Sequence, residues 1–205
     1  MKCLPPPERG KGPRRRPGLT GLVVAIMGLE LLTSSLVASP AQAAGATSRT
    51  LAVAAYRQEQ SNWCWAASAQ MIQMARRGVA MTQCAIVKGT LGLSTCPNVG
   101  ASDAQVRNSL NVVGLTYTTN YAGLPPASVI KGQVDTGKPL EYDLAWTNGG
   151  KHAVVIIGYY YDPTDATGST IYWNDPLTGT KKSGSWSYLA SNPSWTASFT
   201  VYGIS

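Results

Sequence analysis

Histidine and cysteine, the residues that most often build metal sites, are scarce in this sequence. Among 205 residues there is one histidine, His152, and there are four cysteines. No two cysteines have CxxC spacing and no HxxxH pair exists, so the spacings typical of zinc sites are missing. Glycine motifs for nucleotides or flavins are missing too. We expect no metal and no cofactor, and any reaction that needs an imidazole must use His152.

Charge is also sparse, at 13% of residues, and it is unevenly distributed. The first 43 residues hold six of the 17 basic residues and two of the 10 acidic ones. The remaining chain therefore carries 11 basic residues (17 − 6) against 8 acidic ones (10 − 2), a net charge of +3. It has no basic run longer than Arg76-Arg77 and Lys181-Lys182. This pattern gives no reason to expect nucleic acid as a partner.

Residues 1–43 have the three parts of a secretory signal peptide. A basic start is followed by the apolar segment GLVVAIMGLELLTSSLVA and by small residues that end at Ala41-Gln42-Ala43. This order predicts cleavage after Ala43, secretion, and no stable membrane association afterwards. A membrane anchor is the alternative, which Glu30 within the apolar segment disfavours. The arginines at 14–16 resemble a twin-arginine signal only loosely, so the export route stays open.

The cysteines that follow the predicted leader are odd in number. Cleavage would remove Cys3 and leave Cys64, Cys84 and Cys96, so one thiol would lack a partner in an oxidising compartment. Cys84 and Cys96 flank a glycine-containing stretch that can turn back on itself. We therefore predict a Cys84–Cys96 disulfide and a free thiol at Cys64, with a metal site as the weaker alternative.

The chain after the leader predicts a flexible N-terminus at 44–55 and one domain at 56–205. A helix is predicted from Ser61 or Asn62 to Gly78, and a second begins at Ser102 with a capping-box pattern. A third, shorter helix follows Pro125-Pro126. The later segments are rich in β-branched and aromatic residues and predict strands at 139–146, 152–162, 169–175 and 196–204. Helices followed by strands indicate an α+β domain with an antiparallel sheet.

Two residues stand in contexts that suit nucleophilic catalysis. Cys64 falls in the first turn of the first predicted helix, where unpaired N–H groups and the helix dipole lower the pKa of a thiol. His152 opens an apolar strand beside a turn, a position from which a side chain can face a cleft. Against this stand two plainer interpretations: an inert buried cysteine between Trp63 and Trp65, and a structural histidine.

These segments resemble the papain-like cysteine peptidases. Gln58, five further residues and then Cys64-Trp65-Ala66 are similar to the active-site entry of that family. The strand that begins His152-Ala153-Val154 is similar to its histidine strand. The resemblance extends to the bacterial branch, namely the avirulence-effector type and the peptidases similar to double-glycine-leader processing domains, in which the next strand ends in Asp-Pro, as Asp175-Pro176 does here.

The resemblance implies a papain-like fold, in which an N-terminal helical part carrying the nucleophile helix packs on a C-terminal antiparallel sheet. It also implies Cys64 as nucleophile, His152 as general base and Gln58 as oxyanion donor. The third catalytic member is Asp175 by the bacterial branch or Asn174 by papain itself. Adjacent strand residues face opposite sides, so only one can serve; we favour Asp175, which would also stabilise the imidazolium by its charge.

The predicted function is that of a secreted, monomeric cysteine peptidase acting on protein or peptide substrates. One alternative is an acyl-transferring, transglutaminase-like enzyme with the same triad, and another is a catalytically silent binding module on the same fold. Two further acids, Glu141 and Asp143, lie in the strand before His152 and are expected at the surface or in contact with substrate.

Overall fold

The computed structural model describes Cys3 and residues 45–164 and 169–205, so the predicted signal peptide, Cys3 apart, lies outside the described residues. The described elements are, in chain order, β1 (Thr47–Thr50), α1 (Cys64–Arg77), α2 (Gln83–Leu91), α3 (Asp103–Val112), β2 (Thr119–Ala122), α4 (Ala127–Asp135), β3 (Leu140–Trp146), β4 (Lys151–Tyr161), β5 (Thr170–Asp175), β6 (Thr180–Ser185), α5 (Trp186–Ala190), β7 (Ser191–Asn192) and β8 (Trp195–Tyr202). None of these helices is long and apolar enough to cross a membrane.

The strands form one sheet whose main path runs β2-β8-β3-β4-β5-β6. β1 adds to β4, and β7 adds to β8. All of these pairings are antiparallel. The predicted α+β class with an antiparallel sheet is therefore confirmed.

Both faces of the sheet are covered, and β4 supplies side chains to each. Ala153, Val155 and Ile157 pack with residues of α1, α2 and α3 on one face. Val154 and Ile156 alternate onto the other face, where they meet residues of α4 and α5. This alternation is the period of two expected of a strand, and burial on both faces explains why β4 is apolar almost throughout.

Helix α1 begins without the predicted side-chain cap. Its N-cap is Trp63, and no side chain caps the helix, so the prediction of a cap by Ser61 or Asn62 is wrong. The two residues instead bond Asn98: Asn98 Nδ2 donates to Ser61 Oγ at 2.9 Å, and the Asn62 N–H donates to Asn98 Oδ1 at 2.9 Å.

The other predicted helix signals agree with the structure. Gly78 ends α1 in the left-handed conformation, with φ of 70°, a conformation that glycine adopts without steric cost. Ser102 caps α3 in a complete capping box with Gln105.

The segment 44–55, which we expected to be flexible, contains strand β1. All four residues of β1 are solvent-exposed, and they pair with 158–161 of β4. Gly158 permits this approach, because a Cβ there would lie only 2.6 Å from the carbonyl oxygen of Arg49. The pairing fastens the N-terminal segment to the central sheet.

Candidate functional site

Cys64 is the first residue of α1 and is fully buried. Its two neighbours hold the main chain in place through their indole N–H groups. Trp63 donates to the carbonyl of Pro97 at 3.0 Å, and Trp65 donates to that of Val99 at 3.4 Å. The loop at 97–99 therefore brackets Cys64 on both sides.

The loop that brackets Cys64 is itself fastened by a disulfide. Cys84, in the first turn of α2, is bonded to Cys96, as the sequence predicted. Since Cys96 directly precedes the loop at 97–99, this disulfide connects α2 to the start of α1.

We predicted a free thiol at Cys64 for the chain after cleavage, and the full chain, which keeps Cys3, does not have one. Cys64 forms a disulfide with Cys3, a residue that we expected to leave with the leader. Cys3 is itself buried, and its Sγ accepts a hydrogen bond from the backbone N–H of Cys64 at 3.2 Å. While the Cys3–Cys64 disulfide is intact, Cys64 has no thiol with which to attack a substrate.

His152 lies next to these sulfurs. It is the second residue of β4 and is buried, with 2% of its surface exposed. A ring nitrogen of His152 and the sulfurs of Cys3 and Cys64 all lie within 4.8 Å of one another. The three residues could hold a metal by distance alone, but the two sulfurs are bonded to each other.

The far side of the imidazole contacts Asp175. Nε2 of His152 lies 2.8 Å from Oδ1 of Asp175. Nδ1 is buried and has no hydrogen-bond partner among the described residues. Because Nε2 is engaged by the carboxylate, Nδ1 is the nitrogen left for exchange of a proton with Cys64.

Asp175 and the neighbouring Asn174 face different partners. Asn174 Nδ2 donates to the carbonyl of Val53 at 2.9 Å, whereas the Asp175 carboxylate contacts His152 and accepts the N–H of Leu177 at 2.9 Å. Burial alone would raise the pKa of Asp175. The hydrogen bond and charge of His152, with smaller effects from Leu177 and Lys182, lower that pKa below its ordinary value. The carboxylate therefore stays charged beside the imidazole.

One face of the imidazole is covered by Trp146. The rings stack with centroids 5.8 Å apart and an interplanar angle of 20°. Beyond them lies a groove of about 1080 Å³ that reaches His152 and Asp175 and is lined by several aromatic side chains, among them Trp146, Trp173 and Trp195. The imidazole is thus covered on one face by Trp146 and borders a groove lined by both aromatic and polar side chains.

Gln58 is also almost buried, with 9% of its surface exposed. Its Nε2 donates to the carbonyl of Gln60 at 2.9 Å, and its backbone N–H donates to that of Pro176 at 2.8 Å. The amide retains a second N–H beyond the Gln60 bond. The backbone bond connects the segment that carries Gln58 to the turn that directly follows Asp175.

Glu141 and Asp143 are buried, whereas we expected them at the surface or in contact with substrate. They are 1% and 0% exposed, and their carboxylate oxygens have no hydrogen-bond donor among the described residues. Burial, together with the charge of Asp143, raises the pKa of Glu141 well above its ordinary range, and burial raises the pKa of Asp143 to about 8. The sequence does contain a signal for this buried pair. Two acids at i and i+2 share one face of a strand, and the strand here is otherwise mostly apolar, as buried strands are.

Comparison with known proteins agrees with this geometry. The family described as papain-like cysteine protease AvrRpt2 matches residues 47–193, which is more than half of the chain and includes Cys64, His152 and Asp175. No curated protein matches the chain. The resemblance to the avirulence-effector type is therefore confirmed, and proteins or peptides are the substrate class that such a family acts on. This chain belongs to the papain-like cysteine protease AvrRpt2 family and is a cysteine-type peptidase, a hydrolase.

Proposed function

We propose that this peptidase hydrolyses peptide bonds with Cys64 as nucleophile, His152 as general base and acid, and Asp175 as the group that orients the imidazole. One observation carries the proposal: Asp175 engages Nε2 of His152 at 2.8 Å, while a ring nitrogen of His152 lies within 4.8 Å of the Cys64 sulfur. A nucleophile, a base and a group that orients the base are the parts that covalent acyl transfer needs.

In the first half of the reaction the Cys64 thiolate attacks the carbonyl carbon of the substrate. Two donors would stabilise the oxyanion that develops, the backbone N–H of Cys64 and the side-chain amide of Gln58. The protonated His152 then gives its proton to the leaving amine as the C–N bond breaks. The products of this half are the acyl-enzyme on Cys64 and a free amine.

In the second half, water replaces the amine. Neutral His152 accepts a proton from the attacking water, and the same two donors stabilise the second oxyanion. When this intermediate collapses, the bond from carbon to Cys64 Sγ breaks and the carboxylic acid leaves. Asp175 keeps Nδ1 directed at the sulfur throughout and offsets the charge of the protonated ring.

Turnover requires Cys64 as a thiol, and in the full chain its sulfur is bonded to Cys3. Reduction by a low-molecular-weight thiol breaks the bond, since one thiolate attacks a sulfur of the disulfide and a second resolves the mixed disulfide. Removal of the leader before the disulfide forms has the same result, because Cys3 then leaves with residues 1–43.

We further propose that the peptidase acts outside the cell as a monomer. The leader pattern that ends at Ala41-Gln42-Ala43 supports export and cleavage, and the Cys84–Cys96 disulfide suits an oxidising compartment. The N-terminal sequence of protein collected from culture medium tests this. A start at Ala44 is expected, and secreted protein that still begins at Met1 would contradict cleavage.

Hydrolysis of a peptide mixture by the reduced protein, with product ends identified by mass spectrometry, tests the chemistry. We expect Cys64→Ala to abolish cleavage and His152→Ala to reduce it by about 10²-fold or more. A matched control is Cys3→Ser, which also removes a cysteine but keeps the proposed nucleophile and the Cys84–Cys96 disulfide. Full activity of the Cys64→Ala protein would contradict the proposal.

A further inference from the structure

Gln83 is a buried glutamine that no part of the proposed mechanism uses. It is the first residue of α2 and is 1% exposed. A glutamine this deeply buried is unfavourable unless its amide is fully hydrogen-bonded. Its surroundings satisfy it, and they lie next to the proposed oxyanion donor.

The amide of Gln83 holds the main chain on both sides of Gln58. Its Oε1 accepts the backbone N–H of Glu59 at 2.9 Å, and its Nε2 donates to the backbone carbonyl of Arg57 at 2.9 Å. The two bonded positions are the residues immediately before and after Gln58. The peptide units that flank Gln58 are therefore fixed by one side chain.

The same amide connects this segment to the helix that begins with Cys64. Nε2 of Gln83 also donates to Oε1 of Gln70 at 3.1 Å, and Gln70 belongs to α1. Gln83 thus sets the position of residues 57–59 relative to the helix that carries the nucleophile.

A second support holds the segment from the side of Asp175. The backbone N–H of Gln58 bonds the carbonyl of Pro176, and the turn after it passes close to Arg57. Gly179 allows this contact, because a Cβ there would lie 2.9 Å from Cβ of Arg57 and its φ is +66°. Gln83 and this turn approach the Gln58 segment through different bonds, so loss of Gln83 leaves the segment attached but less constrained.

We propose that Gln83 is a positioning residue that keeps the Gln58 amide at the oxyanion site of Cys64. This inference rests on the proposed role of Gln58. Loss of one oxyanion donor costs about 10²-fold or more in kcat, and a misplacement of about 1 Å in an active site has effects of similar size. Displacement of Gln58 by loss of its flanking bonds is expected to lower kcat about 10- to 100-fold with little change in KM.

The test is a double-mutant cycle of Gln83→Met and Gln58→Ala. All variants carry Cys3→Ser, so that Cys64 is a thiol without added reductant and the Cys84–Cys96 disulfide stays intact. Methionine matches the length of glutamine and lacks its hydrogen bonds. If Gln83 acts through Gln58, Gln83→Met lowers kcat in the parent but changes kcat by less than about threefold once Gln58 is alanine.

Gln73→Met is the matched control. Gln73 is also a buried glutamine, and its side chain donates to the carbonyl of Val113 and accepts the N–H of Met81. Its removal costs comparable hydrogen bonds without touching 57–59, so kcat should stay within about threefold of the parent. Alkylation of Cys64 by iodoacetamide forms no oxyanion, and its rate should be the same in the parent, Gln83→Met and Gln58→Ala.

Two results would overturn the proposal, and they differ. The first is that Gln58→Ala lowers kcat and Gln83→Met lowers it further in the double variant by the same factor as in the parent. Gln83 then does not act through Gln58, and the same conclusion follows if Gln83→Met alone lowers kcat no more than Gln73→Met does. If Gln58→Ala itself retains the parent kcat, the proposed oxyanion role of Gln58 fails, and the role of Gln83 fails with it.

Discussion

Nε2 of His152 lies 2.8 Å from Oδ1 of Asp175, which leaves the other ring nitrogen, Nδ1, without a hydrogen-bond partner among the described residues. The orientation is maintained from two directions, by the carboxylate at the ring edge and by Trp146 stacked on the ring face. Trp146 belongs to β3 and Asp175 to β5, the strands on either side of β4 along the main path of the sheet. The rigid centre of the sheet therefore fixes the position of the proposed base.

Substitution of Asp175 separates the two candidates for the third catalytic residue. Asp175→Ala is expected to lower kcat by about 10²-fold or more, because the imidazole loses both its orientation and its counter-charge. Asn174→Ala removes only a hydrogen bond to Val53. It should cost about 1 kcal/mol of stability and leave kcat within a few-fold of the parent.

Steady-state kinetics and denaturant unfolding of both variants measure these effects. Loss of kcat in Asn174→Ala together with an unchanged kcat in Asp175→Ala would show that Asn174, and not Asp175, orients the imidazole. Because the pKa of Asp175 is lowered from its ordinary 3.8, its stabilising effect is present above about pH 4 and is lost only as the pH falls through the folded-state value.

The Cys3–Cys64 disulfide predicts that the full chain is inactive when purified without reductant. Cys3 is bonded to the sulfur of Cys64, and its own sulfur accepts the backbone N–H of Cys64 that we propose as an oxyanion donor. Cys3→Ser should be active without reductant, and thiol treatment should activate the parent but not improve the variant. Peptide hydrolysis before and after treatment measures this, with non-reducing peptide mapping to identify the bond.

The Cys3–Cys64 disulfide also predicts that the parent and the Cys3→Ser variant differ in their resistance to oxidation. Excess peroxide oxidises a cysteine thiolate beyond sulfenic acid, which thiols reduce, to sulfinic and sulfonic acids, which thiols do not reduce, whereas a disulfide is reducible. After peroxide treatment followed by reduction, the parent should recover its activity and Cys3→Ser should not. Equal loss in both proteins would show that the bond to Cys3 does not protect Cys64.

The buried pair Glu141 and Asp143 predicts a fold that weakens as the pH rises. The pKa of Asp143 is raised from 3.8 to about 8, so between these values the folded protein holds more protons than the unfolded chain, and stability falls with increasing pH. Asp143→Asn should reduce that slope and, at pH 8, stabilise the fold by about 2 kcal/mol or more, since each pKa unit corresponds to about 1.4 kcal/mol.

Urea unfolding at several pH values measures this slope. Glu59→Gln, which removes a solvent-exposed carboxyl, is the control and should leave the slope unchanged. A parent protein whose stability is constant or rises from pH 5 to 8 would contradict the raised pKa of the pair.

Elements with strong local signals could be predicted from the sequence. Gly78 and the Ser102 capping box marked helix ends, and the apolar residues of β3, β4, β5 and β8 marked strands. The elements that we missed have weak signals of their own. β2 and β6 are the end strands of the main sheet path and contain no buried residue, and the TKKSGS of β6 lacks the apolar alternation that predicts a strand. Pairing with a neighbouring strand, which sequence does not show, makes these segments strands.

The site could be predicted only as a set of residues. Motifs identified Cys64, His152 and the pair Asn174 and Asp175. Whether Asn174 or Asp175 reaches the imidazole depends on how β3, β4 and β5 pack together, which the motifs do not show. The disulfide to Cys3 joins positions 61 residues apart and has no sequence signature. We did not predict α2 or the role of Gln83, because the stretch between Cys84 and Cys96, with Gly89 and Gly92, suggests a turn.

Activation of Cys64 by His152 is measured most directly by the rate at which iodoacetamide alkylates Cys64. The rate is followed across pH in the Cys3→Ser protein, with and without His152→Ala. We expect rapid alkylation that persists well below pH 8.5, the region where an ordinary thiol ionises, and that becomes slow in the His152→Ala variant. Alkylation that rises only near pH 8.5 and is the same in both proteins would show that His152 does not activate Cys64.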